Sequence, residues 1–406
     1  MLYKYKAKKL SDGELIEGTR ESEGKFSLLQ ELKEEGFSLL VAEETEGGGM
    51  VRFLVRLNEV VIRIRLHDKI IFARNLAAMI SAGLSLSRAL EILEKQTTNA
   101  KFKKIMGALG KEIKDGGTLS SGLKKYPNVF SPLFVAIVHA GEESGGLAPS
   151  LKEIALHLDK NYALIKKVRG AMTYPAIILV AIFIIGALML IYVVPTLTGT
   201  FKELKVELPA STQFIIFISD LLVNNTVTVF LGLVTFIIFF TLGLRTARGQ
   251  KYFDFVLLRI PFIGNLVKQI NSARTTRTLS SLLVAGVTIT ESLSITRDVI
   301  QNHYYKVALL SAAEKVQKGG AVAETFKENT FLFPVMVGEM IEVGEETGKV
   351  SQMLLDIATF YEDEVDAATK DLSTVVEPVL MVVIGAAVGF FAISMITPTY
   401  SLLNNI

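Results

Sequence analysis

Two short segments carry the residues most suited to chemistry. Gly141-Glu142-Glu143-Ser144-Gly145 and Gly344-Glu345-Glu346-Thr347-Gly348 each set a carboxylate pair between glycines. Glycine at either end permits positive φ, and the carboxylates suit capping the following helix or meeting a basic partner. Holding a divalent cation is a third use, but a strong site needs more oxygen ligands than these segments supply. With Lys349 behind it, the second segment has the outline of a phosphate loop. It is one residue short of the G-x-x-x-x-G-K-[ST] spacing, and Val350 stands where the magnesium-binding hydroxyl belongs. Its two carboxylates would repel phosphate, and the first segment has Gly146 where Lys349 stands. Nucleotide binding is therefore not expected, and structural turn and packing is the leading reading of both segments.

Composition narrows the chemistry further. The chain has no Cys, which removes thiol nucleophiles, disulfides and zinc ribbons. Its four histidines, His67, His139, His157 and His303, have no metal-ligand spacing. Neither G-x-S-x-G nor H-E-x-x-H occurs. The expectation is a protein without catalytic residues, metal or cofactor. A net charge of +2 gives no footprint for direct nucleic-acid binding.

The elements that position these segments are membrane spans and helical domains. Of 406 residues 50% are hydrophobic and 21% charged, with a mean hydropathy of +0.42. Three runs lack any charge: Ala176–Val194, Val227–Leu244 and Val379–Ile396. At a rise of ~1.5 Å per residue, each reaches about 27–28 Å, close to the hydrocarbon thickness of a bilayer. Their freedom from Asp, Glu, Lys and Arg argues against a proton relay or ion-coupled transporter. The N-terminus lacks the apolar stretch of a cleaved signal, so internal segments are expected to do the inserting. Lys166, Lys167 and Arg169 precede the first run, and Arg245, Arg248 and Lys251 follow the second. The positive-inside rule then puts 1–170 and 245–375 in the cytoplasm, with the 198–226 loop and the C-terminus outside. Phe214–Val223 is amphipathic enough for the outer interface, or for an extension of the second span.

The chain is also a duplication. Shifted by 203, residues 72–197 align with 275–400 without a gap, and 25 of 126 positions are identical. AGLSLSRALEI (82–92) meets AGVTITESLSI (285–295), GEESG meets GEETG, and Pro175, Gly186 and Pro195-Thr196 meet Pro378, Gly389 and Pro398-Thr399. Each copy is a helical region feeding one outward span. Two copies in one orientation require a return crossing, which the middle span provides. Within the first copy, periodicity predicts helices ending at Gly83, restarting at Ser85, over 101–114, 119–125 and 132–140, and from 147 into the span. The first 50 residues read as two strands about an Asp-Gly turn, a helix over 24–35 and a third strand. Gly47-Gly48-Gly49 reads as a linker, and the state of the residues after it stays open. Gly385 and Gly389 form a GxxxG spacing, suited to packing of spans within or between subunits or to a face left to lipid.

This combination resembles the PilC/GspF family, inner-membrane platform proteins of type IV pilus and type II secretion machines. The resemblance rests on the AGL-[ST] hairpin, the GEESG segment and the Tyr174-Pro175 and Glu377-Pro378 dipeptides where the chain passes into the membrane. One departure is that Ser131-Pro132 stands in place of Phe333-Pro334. The resemblance implies a mainly α membrane protein with two homologous cytoplasmic six-helix bundles, three transmembrane helices and a small α/β N-terminal region. The expected boundaries are 1–50 for that region and 51–71 for a linker. Bundles follow at 72–175 and 275–378, with spans at 176–195, 227–244 and 379–396. The remaining parts are a short periplasmic loop at 196–226, a connector at 245–274 and a periplasmic tail at 397–406.

The same resemblance implies coupling of a cytoplasmic hexameric assembly ATPase, with a retraction ATPase as a further candidate, to extraction of pilins or pseudopilins. Inner-membrane alignment proteins, membrane lipid and further copies of the chain complete the expected partners. Arg74 and Arg277, matched at the start of the two bundles, are candidates for the ATPase contact, with a solvated or intra-bundle salt bridge the favoured reading. Pro175 and Pro378 would lie beside pilin helices. The competing functions are a membrane-anchored scaffold or sensor outside filament assembly and a duplicated permease subunit.

Overall fold

A computed structural model describes residues 2–9, 15–22, 24–44, 64–203 and 208–403. The Asp-Gly turn, the triple-glycine linker and residues 51–63 of the open segment after it lie outside the described residues, and the rest of that segment leads into a helix from Leu66. The chain divides into one unit of Met1–Arg65 with Glu94–Met106, and another of Leu66–Leu93 with Gly107–Ile406.

In the first unit, β1 (Leu2–Lys9) is the central strand, antiparallel to both β2 (Leu15–Glu21) and β3 (Phe37–Glu44). Tyr3 faces Arg20 on one side and Glu44 on the other. Helix α1 (Lys25–Glu34) buries Leu28 and Leu32 against Tyr3 and Ala7, two positions that the period-2 pleat puts on the covered face. Arg20 closes the unit with a bidentate bond to Glu35, at 3.0 and 2.8 Å.

The second unit holds most of both repeats. First-repeat helices are α2 (Leu66–Ser81), α3 (Leu86–Gln96), α4 (Ala100–Lys114), α5 (Leu119–Lys124), α6 (Pro132–Glu143) and α7 (Leu147–Leu188). A π-helical turn, Met189–Val193, precedes α8 (Val194–Glu203). Pro195 cannot donate to a helical carbonyl, and its ring crowds the preceding turn, which favours the wider winding there. Next come α9 (Ala210–Asn224), α10 (Thr226–Arg245) and α11 (Ala247–Arg259). The second repeat runs α12 (Ile263–Val284), α13 (Ile289–Val299), α14 (His303–Gln317), α15 (Val322–Glu328), α16 (Val335–Thr347) and α17 (Val350–Leu403).

Both repeats therefore have six helices in the same order. Gly83 and Gly286 end the first helix of each repeat in the left-handed region, with φ of 87° and 89°, where a Cβ would be strained. Phe72, Phe130 and Phe134 form the aromatic centre of the first core, with centroids 5.1–6.2 Å apart. Tyr305, Phe326 and Phe333 do so in the second, where Tyr305 donates its hydroxyl to the Leu332 carbonyl. The one-residue shift of proline between the copies leaves this intact. Phe130 and Phe333 are both buried. Ser131 caps α6 ahead of Pro132, and Pro334 itself takes the capping position of α16.

Among the described residues three helices are long and apolar enough to cross a membrane, lying within Leu147–Phe201, Thr226–Arg245 and Val350–Pro398. The expected loop at 196–226 is largely helical, through the end of α8 and all of α9, and the connector at 245–274 is α11 and the start of α12. Helix α9 is distinct from α10, the chain breaking at Asn225 (φ −127°, ψ 36°). Its Thr212 hydroxyl bonds the Ser394 carbonyl, and Ser219 bonds that of Leu190, so its polar face is spent on the ends of two spans.

Candidate functional site

Glu142 and Glu345, the first acids of the repeated motifs, do the same work in each copy. The Glu142 carboxylate accepts from the backbone N–H groups of Leu119 and Ser120, the latter at 3.0 Å. Glu345 accepts from Val322 at 2.7 Å and Ala323 at 3.0 Å. These are the leading amides of the short helices α5 and α15, which have no carbonyl partner within their own helix. A negative charge there also meets the positive end of the helix dipole. The acid thus caps a helix 22–23 residues upstream, not the following helix as expected from the sequence. In the first copy Thr118 shares the task by accepting from Ser121, whereas Ala321 has no side chain to offer in the second.

The rest of the motif ends α6 and α16 and turns into the long helices. A Cβ on Gly141 would stand 2.5 Å from Ser150 Oγ, and one on Gly344 3.0 Å from Val350 Cα, so neither position has room for a side chain. Gly145 and Gly348 turn the chain at φ 71° and 68°. The second acids, Glu143 and Glu346, are exposed, Glu143 lying 3.4 Å from the His139 ring. The Gly344–Lys349 stretch is a helix C-terminus. A phosphate loop opens a helix instead, presenting free amides.

The matched arginines part company. Arg277 forms a bidentate pair with Glu362, Nε and Nη2 each at 2.8 Å, and is 5% exposed. Arg74 meets Asp159, the position matching Glu362, at 3.4 Å with both side chains largely in solvent. The difference comes from what covers them. Helices α6 and α7 of the first repeat pack on α12, α13 and α17 of the second. Along that seam Lys160 lies 3.9 Å from Glu362, Lys167 bonds Asp366 at 2.9 Å, and His157 meets the Ser281 hydroxyl at 3.5 Å. Burial, with the Arg277 charge second, pushes the His157 imidazole down to about 4. Arg277 is thereby committed inside the chain, and Arg74 is the one of the pair that stays open to a partner.

Pro175 and Pro378 sit inside the continuous helices α7 and α17. Among the described residues, no other part of the chain comes within 4 Å of where a Cβ would stand on Gly385 or Gly389, which leaves that face of α17 uncovered by them.

Sequence reasoning missed the buried polar run of α12, where Ser272, Thr275, Thr276, Thr278, Ser280 and Ser281 are all buried with Arg277. Its run of hydroxyls reads as a solvated face. The one local signal is that every third or fourth residue can return its hydroxyl to the helix, as Thr276 does to Ser272 and Thr278 to Arg274.

The family described as Type II secretion system (T2SS), protein F matches residues 72–195 and 275–398, the two copies of the repeat. Type IV pilus assembly protein PilC of Thermus thermophilus is 36% identical over 100% of this chain and 99% of its own length. PilC of Myxococcus xanthus is 38% identical over 82% and 80%. Type II secretion system protein F of Xanthomonas campestris is 31% identical over 100% and 99%. With both repeats matched and relatives of either name covering the whole length, the chain belongs to the PilC/GspF family, that of type II secretion protein F.

Proposed function

We propose that this chain is the inner-membrane platform of a type IV pilus or type II secretion machine, coupling a cytoplasmic hexameric assembly ATPase to extraction of pilin or pseudopilin subunits. One observation carries the mechanical part of the reading: α7 and α17 each run unbroken from a cytoplasmic bundle into an apolar span. A displacement of the bundle is then transmitted to the membrane through backbone hydrogen bonds. The Lys and Arg flanks favour bundles and N-terminus in the cytoplasm, C-terminus outside. Arg74 and the exposed Glu143 and Glu346 are the residues offered to the ATPase. Pro175, Pro378 and the open Gly385–Gly389 face are those offered to pilin helices or to another span.

The deciding experiment is a filament count by electron microscopy on cells lacking the gene, with a complemented control and an assay of secreted protein alongside. Loss of filaments restored by complementation supports pilus assembly, and loss of secretion alone supports the secretion machine. Wild-type filaments and wild-type secretion would reject the platform reading in favour of a membrane-anchored scaffold.

A further inference from the structure

Cations outnumber acids in a cavity on the seam between the repeats. It has a volume of about 90 Å³, room for several waters or one tetrahedral oxyanion. His157 and Lys160 of α7 line one side, and Arg274 and Arg277 of α12 another. Among the described residues Glu362 of α17 is the one acid in the lining, and it is already engaged. Arg277 holds both its oxygens at 2.8 Å, and Lys160 stands 3.9 Å away. Arg274 is left over. Among the described residues it pairs with no carboxylate, and its buried Nε has no hydrogen-bond partner.

A guanidinium stays charged throughout the physiological range, and burying it without a partner is unfavourable. The repeat does not require it. Position 71, its match in the first copy, is an isoleucine 42% exposed, and Lys160 is matched by the acid Asp363. The excess charge therefore belongs to the seam and not to the six-helix plan. We propose that this cavity binds a soluble phosphate group, as inorganic phosphate or a small phosphate monoester, held by Arg274 and Lys160. The inference does not depend on the pilus or secretion reading.

Charge and shape favour phosphate over a single carboxylate. Three cations less one acid leave +2, since His157 is neutral near pH 7. A phosphate monoester carries about −1.5 to −2 at that pH, and its oxygens match the planar fork of an arginine. The mouth of the cavity is at Lys160 and Gln301, both exposed, so a ligand enters from solvent. A lipid headgroup is out of reach. Ile165, the lining residue nearest the first span, precedes Ala176 by 11 residues, roughly 16–17 Å of helix, whereas the headgroup layer is about 5–8 Å thick.

Occupancy has a mechanical consequence. Lys160 belongs to the first repeat and Arg274 to the second, so a bound anion ties the two together across the seam. Binding to the folded chain alone stabilises it by mass action, so the seam tightens as phosphate rises.

The test uses the full-length chain in detergent, titrated with inorganic phosphate against chloride at constant ionic strength. Calorimetry should show saturable binding of one phosphate per chain, and the unfolding temperature should rise with occupancy. Arg274→Gln is expected to weaken binding about tenfold or more, and Lys160→Gln severalfold. Lys318→Gln, which removes an exposed lysine outside the cavity, should bind as the wild type does. In phosphate-free buffer Arg274→Gln should unfold no lower than the wild type, because it removes an unpaired charge. Displacement of phosphate by AMP would support a soluble ester as occupant. Displacement by a short-chain phosphatidic acid and not by AMP would place a lipid headgroup there and overturn the soluble source. Absence of saturable binding, or equal binding by the Arg274 and Lys160 variants, would overturn the site. A lower phosphate-free unfolding temperature for Arg274→Gln would give that guanidinium a structural role and overturn its assignment as a ligand.

Discussion

Glu345 accepts a hydrogen bond from the Val322 backbone N–H at 2.7 Å, 23 residues back along the chain, and Glu142 caps α5 in the same way. A side chain on one helix thereby holds the start of another. In each copy the short helix is fixed to the turn that launches the long one.

Removing that acid should loosen the bundle. Hydrogen bonds to a charged group contribute about 1.5–3 kcal/mol each, discounted here for partial solvent exposure. Glu345→Ala is expected to cost about 3 kcal/mol and Glu142→Ala about 2, because Thr118 still caps α5 while Ala321 cannot cap α15. Thermal unfolding of the detergent-solubilised chain measures both. Equal losses would show that Thr118 contributes nothing.

The matched arginines should differ more sharply. Arg277→Ala leaves Glu362, with a side chain 14% exposed, facing only the more distant Lys160, and is expected to destabilise by about 3 kcal/mol. Arg74→Ala breaks an open pair at 3.4 Å and should cost less than about 1 kcal/mol. If the same two variants lost stability equally, the seam between the repeats would not be covering Arg277.

His157 makes the seam sensitive to acid. Its folded value of about 4 lies below the ordinary 6.5, so the unfolded chain takes up the proton first. The neutral form's contribution is complete above pH 6.5, declines as pH falls to about 4, and is then constant. The most it can remove is about 3 kcal/mol, from 1.36 kcal/mol per unit. Protonation would bring a charge against Arg277, Arg274 and Lys160, which line a small cavity beside His157 where Glu362 is the sole acid among the described residues. His157→Phe, the residue that position 360 already carries, should flatten the unfolding temperature between pH 7 and 4.5. A slope unchanged in the variant would assign the acid sensitivity elsewhere.

Much of this arrangement was legible in the sequence, and what escaped has a common cause. The duplication, the three apolar runs and the helix ends at Gly83 and Gly286 are local patterns, and the structure follows them. The capping role of Glu142 was not, because its partners are amides, which every residue carries, and lie 22–23 positions away. The burial of α12 was hidden because its cover comes from α17 and, across the repeats, from His157 and its neighbours, 124 residues from Ser281. Phe214–Val223 was legible as an amphipathic segment, and what was hidden is its tie to the span ends at Leu190 and Ser394. Local pattern sets which elements form. Long-range polar contacts between them carry no periodicity to read.

Helix α7 offers the strictest test of transmission from bundle to membrane. It has 42 residues, Leu147–Leu188, and Pro175 interrupts neither its winding nor its length. Two glycines inserted after Tyr174 cost about 1 kcal/mol each in helix propensity and turn the bundle by roughly 200° relative to the span. Filaments or secretion should fall to background while the unfolding temperature of the bundles stays within experimental error. Seven alanines at the same point advance the helix by about two turns and restore its phase to within roughly 20°. If transmission depends on phase and stiffness, the alanine insertion recovers part of the activity and the glycine insertion none. Equal activity in both would mean that the bundle and the span need no rigid connection, and the mechanical role of α7 would be lost.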